Sequence, residues 1–210
     1  MASFLLFCVS QVPISVIRID THPPSLIDGR QTINQLLQTP EHNFFSLVRN
    51  STQTTFDSWC TPPPVHPYVS DFQDREQIRS FIAAHLGEPP SNGDLEPCQY
   101  AVLDERSATD QTMILAHSYS AFHMRDPETM TDEECVQWEV ECDERADEPD
   151  DSWRKWRVRF EDAGPLSTHL CFETDFTPKL YNDDLVAAHT DQTGVFQLTS
   201  AWKAYVDANS

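Results

Sequence analysis

Two short apolar segments separated by a polar one constrain this sequence most. Tyr100–Asp104 and Thr112–Tyr119 contain the aromatic, β-branched and other apolar residues typical of half-buried strands, and Glu105–Asp110 between them has the composition of a turn. A connection of this length joins neighbouring antiparallel strands. The sequence therefore predicts a hairpin at the centre of a sheet.

A third segment, Trp153–Phe160, alternates between apolar and basic residues. Such alternation is typical of a strand with one face on a core and one face in water. The apolar positions are Trp156, Val158 and Phe160, and the basic positions are Lys155, Arg157 and Arg159. We expect this strand to lie beside the hairpin and its basic side chains to pair with the acidic residues that precede it.

Two further strands and one helix complete the predicted architecture. Strands are expected over Phe44–Val48 and Leu166–Thr174, and a helix over Asp74–Leu86, where apolar residues recur at helical spacing before Gly87. The predicted fold class is α+β: a single domain whose mostly antiparallel sheet is covered by helices on one face.

The domain is predicted to span residues 44–198, after an N-terminal extension at 1–43 and before a C-terminal tail at 199–210. It contains an acidic insertion at 126–151, dense in carboxylates. Thr131 and Glu134 have the spacing of a capping box. The residues after it predict an amphipathic helix whose apolar stripe is formed by Cys135, Trp138 and Cys142.

Charge and length exclude several classes of protein. The formal net charge of −20 argues against a nucleic-acid-binding protein, because such proteins neutralise phosphates with Lys and Arg. The same charge argues against binding to an anionic membrane surface. At 210 residues the chain is long enough for one well-formed core.

The cysteines and the first residues bear on the compartment. The six cysteines include no C-x-x-C pair, which favours free thiols in a reducing environment over a zinc ribbon or a redox motif. Phe4–Val9 resembles the apolar part of a signal peptide, but no Lys or Arg precedes it and no A-x-A-like site follows. A cytoplasmic chain whose first residues form a strand or an apolar arm is predicted; the alternative is secretion, if residues 1–20 act as a signal peptide.

Acid–base residues at strand ends form the first candidate site. Asp104, Glu105 and His117 are the candidate catalytic residues, because a carboxylate beside an imidazole supports proton transfer. An apolar pocket for a small hydrophobic substrate would be lined by Tyr100, Tyr119 and Trp156. The alternative is that the acidic residues serve only as turn residues with local hydrogen bonds.

Other catalytic patterns are weaker. Cys98 and His117 form a possible nucleophile and base, against the alternative of a buried thiol. His117, His123 and His169 lack the spacing of a metal site, so no metal is predicted. The sequence contains no P-loop, dinucleotide fingerprint or G-x-S-x-G motif, and no cofactor is predicted.

The order of several short motifs resembles a known family. The motifs are Tyr68–Asp71 before a helix, Tyr100–Glu105, Trp156–Arg159, Glu173–Phe176, and the ending Asp191–Phe196. Together, over roughly Phe45 to Phe196, they are similar to a family of small domains of unknown function found in bacteria and filamentous fungi. The resemblance implies a fold and a cytosolic protein of fungal type, but no catalytic residues. The N-terminal extension and the acidic insertion depart from the family pattern.

Two functions follow as expectations. The first is a non-catalytic cytosolic binding or accessory module whose acidic surface, including Glu134 and Glu141, suits a basic protein; a small hydrophobic molecule is the other expected partner. The second is a small cofactor-independent enzyme of fungal specialised metabolism, such as an isomerase, cyclase or hydrolase. A pocket around Tyr100, His117, Tyr119 and Trp156 favours the enzyme, whereas a closed core there favours the binding module.

Overall fold

A computed structural model describes residues 3–9, 45–48, 50–56, 71–72, 74–86, 95–120, 122–125, 127–145, 152–172 and 174–209. The strands within these residues are β1 Ser3–Cys8, β2 Phe45–Val48, β3 Leu95–Leu103, β4 Thr112–Tyr119 and β5 Ser152–Arg159. The helices are α1 Arg75–Leu86, α2 Ser107–Asp110, α3 Asp132–Glu144, α4 Phe160–Cys171, α5 Thr177–Leu180, α6 Asp183–Ala188 and α7 Leu198–Ala208. Residues 126 and 146–151 of the predicted acidic insertion lie outside the described residues, as do residues 10–44.

The strands form one mixed sheet in the order β2-β1-β3-β4-β5. The predicted hairpin is confirmed, since β3 and β4 pair antiparallel from Gln99↔His117 to Val102↔Ile114. The alternating segment is also confirmed as a strand: β5 pairs antiparallel with β4 along its whole length. β1 is parallel to both β2 and β3. The predicted α+β single domain is therefore confirmed.

Helices cover both faces of the sheet rather than the one face predicted. Phe7 and Tyr100 belong to a core cluster with Phe81 of α1, and we call this side the α1 face. Leu6 and Ala101 are the chain neighbours of Phe7 and Tyr100, so their side chains point to the opposite face. They belong to a second core cluster with α4, α5 and α7, and we call that side the α4 face. Because alternate residues of β1 and β3 are apolar in both directions, both faces require cover.

The prediction of a strand over Leu166–Thr174 is wrong, because most of this segment lies in helix α4. Phe160, Ala163, Leu166 and Leu170 recur every three or four residues and are all buried. Pro165 is accommodated because it lies on the exposed side of the helix. The helical stripe thus begins at Phe160, which the alternating pattern had assigned to the preceding strand.

The two predicted termini also contribute to the core. Ser3–Cys8, assigned to an extension, is β1 and lies between β2 and β3. Residues 199–210, assigned to a tail, mostly form α7, whose Ala201 is fully buried. Buried apolar side chains in both segments explain why they belong to the core and not to an extension or a tail. None of the described helices has the length and apolar character needed to cross a membrane.

Helix α3 agrees with its sequence prediction. Thr131 and Glu134 form both bonds of the capping box, with Glu134 Oε2 accepting from Thr131 N at 2.8 Å. Trp138 Nε1 donates to the Phe122 carbonyl at 3.0 Å, which places the predicted stripe against the domain. The helix contains no buried residue, so it lies on the surface.

Candidate functional site

A cavity of about 540 Å³ lies on the α1 face, between the first turn of α1 and the sheet. Its size is within the range of small-molecule sites, roughly 300–1,000 Å³. Apolar side chains of Val9, Ile78, Val102 and Ile114 form much of its wall. Charged and polar groups from α1, β3 and β5 converge on the same space.

The strand register places the sheet residues of the cavity on one face. Tyr100 of β3 pairs with Ala116 of β4, and Ala116 pairs with Lys155 of β5. Neighbouring strands are about 4.8 Å apart, so Tyr100 and Lys155 are roughly twice that distance from each other. Val102 of β3 and Ile114 of β4 lie on the same face and complete the sheet side of the cavity.

Tyr100 is buried beside Arg79. Its side chain is only 1% exposed, and its hydroxyl is buried as well. Burial raises the pKa of Tyr100, and a side-chain hydrogen bond with Arg79, together with the charge of Arg79, opposes that rise. The Nε of Arg79 is buried without a partner in the described part of the chain. Unpaired buried polar groups are uncommon, since each costs about 1–3 kcal/mol.

Lys155 is the second unusual group of the cavity. Its pKa is lowered to about 8, first by burial and then by the positive charges of Arg75 and Arg79. Neither Lys155 nor Arg75 forms a salt bridge within the residues that the structure describes. Three cationic side chains therefore lie close together in a protein whose net charge is −20.

The carboxylates at the cavity have other partners. Asp74 caps α1 by accepting a hydrogen bond from Gln77 N at 2.9 Å. Glu76 is an exposed residue that lies 3.9 Å from Arg79. Asp104 is paired with Arg157, as described below. The positive charges of Arg75 and Lys155 are thus left without a direct counter-charge in the described residues.

No family model, curated protein or solved structure matches this chain. The resemblance to small domains of unknown function therefore stays a prediction.

Asp104 lies at the end of β3 and faces Arg157, which donates to both of its oxygens. Ser107 N and Oγ also donate to Asp104 Oδ1, at 3.3 and 3.2 Å. Burial alone would raise the pKa of Asp104, but the bonds and charge of Arg157, with those of Ser107, leave it below the ordinary value. Asp104 is thus an ionised, fully bonded turn residue, and Glu105 beside it is exposed. For Asp104 this arrangement agrees with the alternative of a turn residue with local hydrogen bonds.

The other predicted catalytic residue lies on the opposite side of the sheet. His117 pairs with Gln99 in the ladder and contacts Tyr181 through its Nδ1, so it belongs to the α4 face. Burial lowers the pKa of His117 to about 4. The sheet therefore separates His117 from Asp104, and these residues do not form one site.

The predicted pocket residues are divided in the same way. Tyr119 and Trp156 both pack against Tyr181 on the α4 face. The ring centroid of Tyr181 lies 4.3 Å from that of Tyr119 and 5.7 Å from that of Trp156. Trp156 is 2% exposed, so its surroundings form a closed core and not the pocket that the sequence predicted. Only Tyr100, on the α1 face, lines the cavity.

Polar groups on the α4 face are largely paired with one another. The side chain of Gln99 accepts from Ser167 Oγ at 2.9 Å and donates to Cys171 Sγ at 3.0 Å. Arg154 donates to the Tyr181 carbonyl and contacts Asp183, both at 2.9 Å. Cys98 lies one position from Gln99 along β3, so the strand alternation directs it away from His117. The described residues contain no group of three or more potential metal ligands.

Glu134 and Glu141, predicted as binding residues, line a second space of about 430 Å³ beside α3. Glu134 is bonded to Thr131 in the capping box, and Glu141 accepts from Gln137 Nε2 at 2.8 Å. Both carboxylates are therefore engaged within their own helix. The second space contains no buried polar group without a partner among the described residues.

Sequence reasoning missed Arg75 and Arg79 and assigned Lys155 to a water-facing surface. The pairing register would have found Lys155, because it places Lys155 two strands from Tyr100 on the same face. The positions of Arg75 and Arg79 depend on which face α1 covers. The basic residues of β5 have partners other than the acidic insertion: Arg154 contacts Asp183, Arg157 contacts Asp104, and Arg159 contacts Glu161.

The Asp104–Arg157 pair makes a first testable prediction. Replacing Arg157 with Met leaves a half-buried carboxylate without its main partner, and we expect the free energy of unfolding to fall by about 1–2 kcal/mol. Urea denaturation at neutral pH measures this loss. At pH 3 the loss should be smaller, because the lowered pKa of Asp104 makes its contribution present at higher pH and lost as pH falls.

Arg159→Met is the matched control, since Arg159 is on the same strand, is exposed and lies 3.7 Å from Glu161. We expect a change within about 0.5 kcal/mol for this variant. Equal losses in the two variants would contradict a specific role of Arg157.

Proposed function

We propose that this domain is a binding module for a small organic anion with an apolar body, held in the cavity between α1 and the sheet. The observation that carries the proposal is the pair of cationic side chains, Arg75 and Lys155, that line an open space without a salt-bridge partner among the described residues. On the α4 face the polar groups of Gln99, His117 and Arg154 are bonded to neighbours.

The composition of the cavity supports this class of ligand. Apolar residues on one side suit a hydrocarbon or aromatic body, and Arg75 and Lys155 suit a carboxylate, sulfonate or phosphate group. Burial lowers the pKa of Lys155 most, and repulsion from Arg75 and Arg79 lowers it further; a bound anion would offset this repulsion. The ligand we propose thus extends the small hydrophobic molecule expected from the sequence by adding a negative charge.

The predicted catalytic residues are divided between the two faces of the sheet. This division supports a non-catalytic role over the hypothesis of an enzyme. Asp104 is bonded to Arg157, and His117 is bonded to Tyr181 across the sheet. The position of β1 supports a cytoplasmic location, because removal of residues 1–20 as a signal peptide would take an inner strand from the sheet. The four described cysteines are free thiols, in agreement with a reducing compartment.

A basic protein partner is a second proposed role, and one observation favours it. Val136 and Val140 lie one turn apart on α3 and are 63% and 54% exposed. Carboxylates surround them along a helix that contains no Lys or Arg. A surface of this kind is complementary to a basic amphipathic segment.

Calorimetric titration with 2-naphthoate at pH 7 tests the proposed anion binding. We expect 2-naphthoate to bind and to raise the melting temperature, and we expect the uncharged 2-naphthalenemethanol to bind about tenfold more weakly. The reason is that a hydrogen bond to a charged group contributes about 1.5–3 kcal/mol. The affinity for 2-naphthoate should fall as pH rises through about 8, where Lys155 loses its proton.

Variants of the cavity provide the control. Lys155→Gln and Arg75→Gln should each weaken 2-naphthoate binding by about tenfold. Lys203→Gln removes the same charge from an exposed position of α7 and should leave binding unchanged. Equal binding of the acid and the alcohol, or an equal effect of Lys203→Gln, would exclude the proposed site.

A further inference from the structure

We propose that Lys155 is a nucleophilic amine and that the cavity takes anionic aldehydes or ketones as imines on this side chain. The inference rests on the proposed anion binding and names the class of ligand more closely. Its basis is the placement of an amine without a salt bridge in the described residues, in a cavity that is also lined by Arg75 and by apolar side chains.

The geometry assigns the two functional groups of such a ligand to different residues: the carboxylate to Arg75 and the carbonyl group to Lys155. Arg75 lies in the first turn of α1 and Lys155 lies on β5, so they reach the cavity from opposite walls. A guanidinium stays charged at all accessible pH values and can hold the carboxylate of the ligand. The carbonyl carbon can then lie toward Lys155, which lines the same cavity.

The charges around Lys155 explain why it is available as a neutral amine. Arg75 and Arg79 of α1 face it and disfavour its protonated form, as does burial, which gives a pKa of about 8. The acidic groups nearby are Asp74 and Glu76 of α1 and Asp104 of β3, each with another partner. Tyr100 carries a raised pKa and stays protonated, and Arg157 is bonded to Asp104. A lysine next to other cations, or one desolvated in an apolar pocket, is a known way to activate an amine.

The reaction is the condensation of an amine with a carbonyl compound. The lone pair of Lys155 Nζ forms a bond to the carbonyl carbon, and the π electron pair moves to the oxygen, which takes a proton. The nitrogen then loses a proton, the hydroxyl group leaves as water with a further proton, and a C=N bond forms as a protonated imine. Loss of the second nitrogen proton gives the neutral imine, so the two protons taken up by the oxygen equal the two released by the nitrogen. The net change is amine plus carbonyl to imine plus water, so no oxidant or reductant takes part.

Reductive trapping tests this inference on the full chain. The protein is incubated at pH 8 with 4-carboxybenzaldehyde and sodium cyanoborohydride, which converts an imine to a stable secondary amine. The chain has three lysines, Lys155, Lys179 and Lys203, so peptide mapping reports on the cavity and on two internal controls in one sample. Any terminal amino group is quantified separately.

We expect Lys155 to be modified at least about tenfold faster than Lys179 or Lys203. At pH 8 about half of an amine with a pKa of 8 is neutral, against well under one per cent at the ordinary lysine value of about 10.4. An excess of 2-naphthoate should protect Lys155 alone. Benzaldehyde, which lacks the anionic group, should show much less preference for Lys155.

The outcomes separate the two proposals. Even labelling of the three lysines, with 2-naphthoate still bound as expected in the cavity, would overturn the imine inference and leave anion binding intact. Even labelling together with absent 2-naphthoate binding would overturn both. Preferential labelling that 2-naphthoate does not suppress would place the reactive amine outside the anion site and so also overturn the inference.

Discussion

Replacing Trp156 with alanine is expected to lower the free energy of unfolding by about 3–5 kcal/mol. Trp156 is among the largest fully buried side chains, and it lies on β5 between Leu115 and Tyr181. Truncation removes a large apolar contact area and leaves a cavity in the α4-face core, into which rigid neighbours cannot fully relax. Urea denaturation followed by far-UV circular dichroism measures the loss.

Two further variants define what the Trp156 result means. Trp156→Phe should cost less than half as much, because a six-membered aromatic ring still fills most of the space. The substitution also removes the indole Nε1, which has no partner among the described residues. Phe172→Ala, at a residue 71% exposed, should change stability by no more than about 0.5 kcal/mol. If Trp156→Ala behaved like Phe172→Ala, the core position of β5 would be refuted.

Acidification from pH 7 to pH 4 is expected to destabilise the domain through His117. The folded state holds this imidazole neutral, with a pKa of about 4, whereas the unfolded chain protonates it near the ordinary value of 6.5. The unfolded state therefore binds more protons between these values, and stability falls as pH decreases through this range. A difference of this size corresponds to a loss on the order of 3 kcal/mol.

The comparison with His117→Gln isolates this contribution. The glutamine side chain can still bond to Tyr181 but does not titrate, so the difference between the two proteins should grow as pH falls from about 6.5 to 4. Carboxylates such as Asp104, whose pKa is lowered, act in both proteins and cancel in the difference. Parallel stability curves for the two proteins would rule out a buried neutral imidazole.

Local patterns predicted the elements whose periodicity is unambiguous. The hairpin of β3 and β4, the alternating β5 and the capped helix α3 all follow from contrasts between neighbouring residues. Leu166–Thr174 was misassigned because a short apolar segment after a proline fits both a strand and a buried helix. The place of β1 could not be predicted, since its two partners are distant in sequence.

The candidate site was only partly within reach of the sequence. Tyr100 was identified because it is an aromatic residue on a predicted strand. Its proximity to Lys155 depends on a register across three strands, and its proximity to Arg75 depends on which face α1 covers. Neither the strand register nor the face that α1 covers is encoded in a local sequence pattern. The prediction that helices cover one face also did not say which side chains of the sheet would face α1.

The parallel position of β1 has a consequence for synthesis on the ribosome. This apolar segment emerges before β2 and long before β3, the two strands that satisfy its backbone hydrogen bonds. The nascent chain must therefore carry an unpaired, aggregation-prone strand until most of the first half has been translated. Chaperone engagement of the growing chain at this stage is the expected result.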